Sequence, residues 1–391
     1  MTSWVIALKS AASVNEGGST SEGFIKVDPG GAKEVEATAA NLLVGFLSRE
    51  QEYSVAGRAP SSRPFYTSAL RERVAQHRTP PYIRSGRVYF STSDLRFFVV
   101  DMGTGSSIIQ PSVTNRRDPN AAANWGFVEL TYTDGLLYAN ISYVDFVGIV
   151  LGMILVARDG SSQTTAGLET DAVTKICQDL SRQSNLDGRR WTSLCVANAD
   201  GNPIRVLSPG NYHDIKPGMY DKYWDAYVDD VWKKYATQDL FINTQSKAGM
   251  IKCRVVNGKL ACDGTGQKFD KPTAKDIWGC NSGPFAASKN STPIHIAVIP
   301  RLCAGFARST LLLEGGNIQP SLSRQSYYTV DPTNHYSRIV HSYEVDGRGY
   351  TFAYDDVNPD GNEDASGVLS SNNVQALVIH VGGPITQVSP R

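Results

Sequence analysis

The clearest pattern of apolar and polar positions in the chain lies between residues 124 and 157. Over residues 125–132 the sequence WGFVELTY alternates with a period of two, which is typical of a β-strand with two distinct faces. Asp134 and Gly135 follow this run, and Asp-Gly favours a tight hairpin turn because such a turn needs positive φ angles. The pattern therefore predicts a β-hairpin, with a buried strand after it.

The pairing of this hairpin decides which polar side chains share a face. We expect Thr133 to pair with Tyr138 across the turn, and Glu129 then lies opposite Ser142. One side of the ribbon then carries an acid, hydroxyl groups, an amide and an aromatic ring, which belong to Glu129, Thr131, Tyr138, Asn140 and Ser142.

A second carboxylate, Asp145, lies three residues beyond Ser142. Strict alternation would point its side chain to the other face of the ribbon. A bulge or a strand end near Tyr143 and Val144 can return it to the face of Glu129. An acid pair beside hydroxyls and an aromatic ring is the chemistry that glycoside hydrolysis needs. The plain alternative is a structural hairpin whose acids are only solvated.

The rest of the chain is predicted to be rich in strands. Short apolar or alternating runs predict strands at 3–9, 86–90, 95–101, 107–113, 149–157, 191–197, 203–207, 294–300, 348–355 and 374–381, and a hairpin at 253–262. Apolar positions at three- and four-residue spacing predict helices at 32–52, 168–182, 219–235, 304–313 and 333–341. Residues 14–31 are predicted as loop and 58–81 as an irregular linker. The aromatic stripe of the 219–235 helix is expected to be core rather than a sugar platform.

Composition narrows the class of protein. The chain has 391 residues, 38 of them basic and 38 acidic, so nothing in its charge favours binding to nucleic acid or an anionic membrane. No apolar run approaches the roughly 18 to 20 residues of a membrane span. The many glycine and tyrosine residues and the few helix-forming runs favour a mainly β protein with an α/β part.

The six cysteines all lie in the middle of the chain. None has zinc-finger or Cys-x-x-Cys spacing, so disulfides of an oxidising compartment are the favoured interpretation and six buried thiols the alternative. Cys253 and Cys262 end a hairpin whose turn is Asn-Gly, and hairpin geometry favours a bridge between them. Cys280 with Cys303 and Cys177 with Cys195 are then the remaining guesses. The first residues are too weakly apolar for a signal peptide, which leaves the compartment open.

Other familiar sites are missing or weak. The sequence lacks a P-loop, a Rossmann glycine fingerprint, a His-x-x-x-His pair and a Gly-x-Ser-x-Gly elbow. His295 and His380 are predicted to be core residues, and His341 is kept as a possible cleft residue. The acidic segment 354–361 does not fit an EF-hand and is better explained as a strand end and loop. Of two glycosylation sequons, Asn290 is the plausible one, since a glycan on Asn140 would block the ribbon.

Seven segments resemble the β-1,3-glucanases of glycoside hydrolase family 64, with the fungal-type members nearest. They are GRVYFS (86–91), PSVTNRRDPN (111–120), NWGFVELTY (124–132), ANISYVDFV (139–147), IWGCNSGPF (277–285), PRLCAGFARSTLL (300–312) and GYTFAYDDVNPDG (349–361). The hairpin also resembles the acid-bearing strand pair of the thaumatin superfamily.

The resemblance implies a thaumatin-like β-barrel or sandwich domain and a mixed α/β domain that flank a wide groove. In this chain the β domain would comprise residues 85–165 and 311–391. The mixed α/β insertion, with the cysteines, would comprise 166–310. Residues 1–84 would form an atypical N-terminal segment.

The resemblance also implies an activity, which is endo-acting hydrolysis of β-1,3-glucan with inversion. Glu129 would be the general acid and Asp145 the general base, with the acid's pKa raised by apolar neighbours such as Trp125 and Phe127. The residues that would bind successive glucosyl units are Thr131, Tyr138, Asn140 and Ser142. We expect no cofactor or metal, a monomer, an extracellular or cell-wall location, and no nucleic-acid or membrane partner. The alternative function is a thaumatin-like protein that binds β-glucan without cleaving it.

Overall fold

The computed structural model describes residues 83–385, apart from residues 94, 102–105 and 360–362, and the backbone of four strands in the chain before them. The four early strands are β1 (Trp4–Leu8), β2 (Phe24–Asp28), β3 (Leu42–Leu47) and β4 (Ala75–Arg78).

The later elements alternate between long stretches of strand and short helices. The strands are β5 (Ile83–Ser91), β6 (Phe98–Asp101), β7 (Ser106–Ile109), β8 (Trp125–Thr133), β9 (Leu136–Ile141), β10 (Phe146–Val147), β11 (Leu151–Ala157), β12 (Ser162–Thr165), β13 (Cys195–Ala197), β14 (Pro203–Leu207), β15 (Leu240–Asn243), β16 (Met250–Val256), β17 (Lys259–Cys262), β18 (Lys268–Phe269), β19 (Ile318–Gln319), β20 (Leu369–Ser371) and β21 (Val374–Val381). The helices are α1 (Ala172–Asp187), α2 (Pro209–Ile215), α3 (Asp225–Thr237), α4 (Ala274–Gly279), α5 (Pro293–Ala307) and α6 (His335–His341), with 3₁₀ turns at Trp191–Leu194, Gly283–Phe285 and Arg324–Ser326.

The predicted hairpin lies within a sheet whose strand order is β1-β3-β5-β8-β9-β20. Strands β5, β8 and β9 are antiparallel neighbours, so residues on one face of all three lie side by side. Val88, Val128 and Leu130 on one face of this sheet are at most 3% exposed. Glu129 and its neighbours along the period of two therefore lie on the opposite face.

Three further sheets and a ribbon complete the strand framework of the described chain. Their orders are β12-β11-β21-β2-β4, β10-β14-β13, β18-β17-β16-β15-β19 and β6-β7. Each sheet is open, with an edge strand at both ends, so the expected barrel does not close in the part of the chain that the structure describes. The architecture is a mixture of sheets and helices, as expected, and the division into residues 85–165 with 311–391 and 166–310 stays a prediction.

The early chain differs from the prediction at three places. Leu42–Leu47 is a strand within the predicted 32–52 helix, Phe24–Asp28 is a strand within the predicted loop, and Ala75–Arg78 is a strand within the predicted linker. Strand β1 pairs with β3, β3 with β5, and β2 with both β4 and β21. A short apolar run fits a helix or a strand equally well, and here distant pairing partners decide for the strand. The opening strand at 3–9 is confirmed.

Two later strand predictions are wrong. Residues 294–300 belong to helix α5, which includes only the first four residues of the separate helix predicted at 304–313. Thr292 caps this helix and Pro293 occupies its first turn, a start signal that outweighs the apolar run after it. Residues 348–355 form bends and turns rather than a strand, with only a single bridge at Tyr350.

Most other elements lie where the pattern predicts them, with shifted ends. Helices α1, α3 and α6 begin two to six residues after their predicted starts, and residues 191–194 are a 3₁₀ turn before strand β13. The aromatic stripe of α3 is core, because Tyr227, Trp232 and Tyr235 are each at most 4% exposed. The predicted Cys253–Cys262 disulfide is present, and so are the two pairings left as guesses, Cys280–Cys303 and Cys177–Cys195. In the described residues, none of the helices has the length and apolar character that crossing a membrane requires.

Candidate active site

Three polar side chains form a row across the middle of the main sheet. Strand register places Arg87 of β5 and Asn140 of β9 directly opposite Glu129 of β8, one on each side. Nη2 and Nε of Arg87 lie 2.8 Å and 3.0 Å from Oε1 of Glu129. Nδ2 of Asn140 donates to Oε2 at 3.3 Å. The Glu129 carboxylate is thus held from both flanks while its side chain keeps 32% exposure.

The hairpin register differs from the prediction by two residues. Thr133 pairs with Leu136 across the Asp134-Gly135 turn, so Glu129 lies opposite Asn140 and Thr131 opposite Tyr138. Both turn residues have positive φ, 52° and 80°, which matches the predicted two-residue turn. A shift of two keeps every side chain on its predicted face, because side chains alternate with a period of two.

An aromatic cluster lies beside Glu129 on the same face. Trp125 and Phe127 are each 3% exposed, and Phe146 lies 4.6 Å from Trp125 and 5.9 Å from Phe127, measured between ring centroids. The guanidinium carbon of Arg87 lies 4.3 Å from the centre of the Phe127 ring. The apolar neighbours expected from the alternation are therefore present, and they also hold the arginine that contacts Glu129.

The chain turns sharply between the two candidate carboxylates, as predicted. Strand β9 ends at Ile141, Ser142 makes only an isolated bridge with Tyr350, and residues 144 and 145 form a bend. Beyond the bend, a Cβ atom on Gly148 would lie 2.0 Å from the carbonyl oxygen of Trp125. The segment that carries Asp145 is therefore packed directly against the start of β8, which only glycine permits.

Asp145 and Glu129 belong to one electrostatic group. Burial raises the pKa of Asp145 above its ordinary value, Arg87 acts to lower it, and the negative charge of Glu129 raises it further. Tyr89 lies on the same face as Arg87, and burial raises the pKa of its hydroxyl to about 12. That hydroxyl donates to Oε1 of Gln110, which also accepts from Nη1 of Arg87 at 3.4 Å. The arrangement brings two carboxyls and one guanidinium together at a partly exposed surface.

The predicted binding residues differ in exposure and in the hydrogen bonds that their side chains already make. Tyr138 is 47% exposed, so its ring is available to a ligand. The hydroxyl oxygen of Thr131 accepts a hydrogen bond from the backbone N–H of Ser85 at 3.2 Å. Asn140 is occupied by Glu129, and Ser142 is half-buried beside the bend. Asn140 belongs to the Glu129 row, Thr131 and Tyr138 lie on its turn side, and Ser142 lies beyond its other side.

Sequence reasoning missed Arg87, Gln110 and Asn211. Arg87 lies within the GRVYFS segment but carries no local sign of its role, and only the β5–β8 register shows that it opposes Glu129. Asn211 lies in α2, 66 residues after Asp145, and Nδ2 donates to the Asp145 backbone carbonyl at 3.0 Å. Contacts between such distant segments are set by the tertiary fold rather than by a motif.

His341 is not a cleft residue that faces outward. Its Nδ1 lies 2.7 Å from Oε2 of Glu344, and its Nε2 lies 3.3 Å from Oδ2 of Asp355. Burial alone would lower its pKa, but the two carboxylates together raise it to about 10. Arg308 completes this buried charge network with a 3.2 Å contact to Asp355.

The other residues considered from the sequence are a core histidine, possible metal ligands and a glycosylation sequon. His295 is 3% exposed and stacks on Phe269, which confirms a core role although the residue lies in a helix. In the described residues, no cluster of three or more histidine, cysteine, aspartate or glutamate side chains is arranged to hold a metal ion. The last part of the acidic segment, 360–361, lies outside the described residues. Asn290 is exposed in a loop, as its sequon requires.

A family model described as β-1,3-glucanase, glycoside hydrolase family 64, matches residues 66–381. This match covers most of the chain, and the chain belongs to glycoside hydrolase family 64. The matched region contains the Glu129 row, the bend at Asp145 and all three disulfides.

Two curated relatives are glucan endo-1,3-beta-glucosidases. The protein of Cellulosimicrobium cellulans is 29% identical over 285 residues, which cover 70% of this chain and 48% of that relative. The protein of Arthrobacter sp. (strain YCWD3) is 28% identical over 285 residues, with the same coverage. The chain spans about half the length of the curated relatives it matches.

Two solved structures of β-1,3-glucanases have the same fold. A laminaripentaose-producing β-1,3-glucanase in complex with laminaritetraose has a TM-score of 0.75 and 24% identity, over 93% of this chain and 99% of that chain. A β-1,3-glucanase domain from Clostridium beijerinckii has a TM-score of 0.65 and 19% identity, over 92% and 98%. At these identities the likeness establishes the shared fold.

Proposed function

We propose that this protein is an endo-acting β-1,3-glucan hydrolase that inverts the anomeric configuration. The observation that carries the proposal is the electrostatic group of Glu129, Asp145 and Arg87, which are partly exposed, in a chain of this family. Inversion uses two carboxyls about 6.5 to 9.5 Å apart, so that a water molecule fits between the base and the anomeric carbon.

In the proposed mechanism, Glu129 protonates the leaving glycosidic oxygen. Asp145 removes a proton from the water that attacks the opposite face of the sugar. This division of roles follows the motif resemblance. A general acid must be protonated, whereas the ion pair with Arg87 favours the ionised form of Glu129. The proposal therefore requires bound glucan to weaken the contact between Arg87 and Glu129.

The substrate would lie across the Glu129 row and contact Thr131, Tyr138, Asn140 and Ser142. The exposed ring of Tyr138 offers a stacking surface for a glucosyl unit, and the three polar side chains offer hydrogen-bonding groups. β-1,3-Glucan as the ligand is supported by the relative whose structure holds laminaritetraose. A wide groove of the thaumatin-like kind between a β domain and an α/β domain would accommodate such a chain.

We also propose where the protein acts and in what form. Three disulfides support an oxidising, extracellular environment, and a cell-wall location would place the enzyme beside its polymer. We propose that the protein acts as a monomer without a cofactor. The non-catalytic alternative is a protein that binds β-glucan through the same residues without cleaving it.

The activity is tested with purified protein on laminarin and curdlan, followed by release of reducing ends. The wild type is expected to release oligosaccharides, and Glu129→Gln and Asp145→Asn are expected to lose at least about a hundredfold in rate. Pull-down on insoluble curdlan provides the control for binding. Binding without turnover in the wild type would refute the hydrolase and favour the binding protein.

The roles of the two acids are separated by chemical rescue. A 2,4-dinitrophenyl laminarioligosaccharide has a leaving group that needs no proton, so Glu129→Gln should recover most of its rate on this substrate. Asp145→Ala should stay slow on it and should be rescued by azide, with an α-glucosyl azide as the product. If instead the Asp145 variant recovered on this substrate and the Glu129 variant were rescued by azide, the two roles would be exchanged. A first product from glucan with the β configuration would exclude inversion.

A further inference from the structure

The bend that carries Asp145 is fastened by residues from three distant segments. The backbone N–H of Tyr143 donates to the carbonyl of Tyr350 at 2.6 Å. The carbonyl of Tyr143 accepts from the hydroxyl of Tyr336, also at 2.6 Å. The Asp145 carbonyl accepts from the backbone N–H of Ser208 at 2.9 Å. Local sequence therefore does not set the direction of the Asp145 side chain.

Among the residues that hold this bend, Asn211 contacts Asp145 through its side chain. Its Nδ2 donates to the Asp145 carbonyl at 3.0 Å. Its own backbone is fixed, since the N–H donates at 3.3 Å to the hydroxyl of Ser208, the residue that caps α2. The amide therefore reaches Asp145 from a backbone that is itself held in place.

The amide of Asn211 also acts on the carboxyl group. A hydrogen bond to a carboxylate stabilises its charged form, and the Asn211 amide lowers the pKa of Asp145 in this way, against the larger effect of burial, which raises it. Within the part of the chain that the structure describes, Arg87 and Tyr89 of β5, Glu129 of β8 and Tyr336 of α6 also interact electrostatically with Asp145. Among these groups, Asn211 alone is an uncharged amide that also bonds the Asp145 backbone.

We propose that Asn211 is a positioning residue for the general base: its amide holds the bend at Asp145 and so aims the carboxyl at the attacking water. The inference rests on the proposed function of Asp145. A base is effective only when it is both deprotonated and correctly aimed, and Asn211 contributes to both conditions. A residue with this role affects the chemical step more than substrate binding.

The test is the pH dependence of laminarin hydrolysis by the full chain. Asn211→Ala is expected to lower kcat by about ten- to hundredfold with a much smaller change in KM. The acidic limb of kcat/KM should move to higher pH, because the base loses a donor that favours its charged form. Asn211→Asp keeps the size of the side chain and adds a negative charge, so it should move the limb at least as far.

Tyr336→Phe and Tyr235→Phe serve as matched controls. Tyr336→Phe removes the bond to the Tyr143 carbonyl and loosens the bend, but it leaves the Asn211 amide in place. Tyr235→Phe removes an equally buried bond, at 2.7 Å, to the carbonyl of Leu311 in another part of the fold. Tyr336→Phe should lower kcat while the acidic limb of kcat/KM stays nearly unchanged. Tyr235→Phe should lower only the stability of the protein.

The outcomes separate the inference from the function on which it rests. An inactive wild type would overturn the hydrolase itself. An active wild type whose acidic limb stays in place in both Asn211 variants would overturn the role of Asn211 and leave the hydrolase intact. If Asn211→Ala does not fold, as judged by near-UV circular dichroism, Asn211→Asp decides the question with the same pH measurement.

Discussion

The buried charge network around His341 makes a specific prediction about stability and pH. The imidazole contacts Glu344 at 2.7 Å and Asp355 at 3.3 Å, and both carboxylate side chains are fully buried. These charges raise the pKa of His341 to about 10, against the effect of burial, whereas an unfolded histidine has a pKa of about 6.5.

The sign and size of the effect follow from proton linkage. A raised pKa in the folded state stabilises the protein fully below about pH 6.5, and this stabilisation is lost as the pH rises to about 10. Each pH unit in this window changes the free energy of unfolding by at most about 1.4 kcal/mol. The full contribution is therefore at most about 5 kcal/mol, and we expect a loss of about 2 kcal/mol between pH 7 and pH 9.

The assay is urea unfolding of the wild type and His341→Gln at several pH values, with the disulfides intact. His341→Gln should be less stable than the wild type at pH 6, and the difference should shrink steadily toward pH 10. His213→Gln is the control, because His213 contacts the half-exposed Asp221 at 3.3 Å on the surface. A stability difference between wild type and His341→Gln that is constant from pH 6 to pH 10 would refute the reasoning.

Three further predictions concern the proposed active face. Arg87→Met should move the acidic limb of kcat/KM to higher pH, because Arg87 lowers the pKa of Asp145, and an unmoved limb would contradict this. Gly148→Ala should lower the free energy of unfolding by about 1 to 3 kcal/mol, since the new methyl group would collide with the Trp125 carbonyl, and denaturant titration measures the loss. Tyr138→Ala should raise KM for laminarin about two- to tenfold while Tyr138→Phe leaves it near the wild-type value; equal KM values in all three would remove Tyr138 from the binding surface.

The local pattern of the chain was sufficient for the hairpin and its functional face. The alternation around Glu129 and the Asp-Gly turn predict the two strands, and even a register error of two residues leaves each side chain on the correct face. The Cys253–Cys262 bridge is predictable for the same reason, because both cysteines end one tight hairpin. In these segments, residues that are close in sequence determine the geometry.

Where a short apolar run was ambiguous, only distant partners decided its structure. Residues 42–47 form a strand because β1 and β5 lie on either side to pair with them. Residues 294–300 belong to a helix, and Thr292 with Pro293 was the one local sign of it. Periodicity cannot separate a buried strand from a buried helix over so few residues.

The environment of the candidate acids was likewise decided by tertiary structure. By itself the sequence determined the strand face on which Glu129 lies, and it offered a bulge or a strand end before Asp145 as the way to bring both acids to one face. It did not determine that Arg87 would contact Glu129, or that Asn211 and Tyr336 would fasten the bend. These partners lie 42 to 193 residues away from the groups they contact. Their contacts depend on how the sheets and helices pack, and that packing brings two carboxyls from one short segment into a shared electrostatic environment.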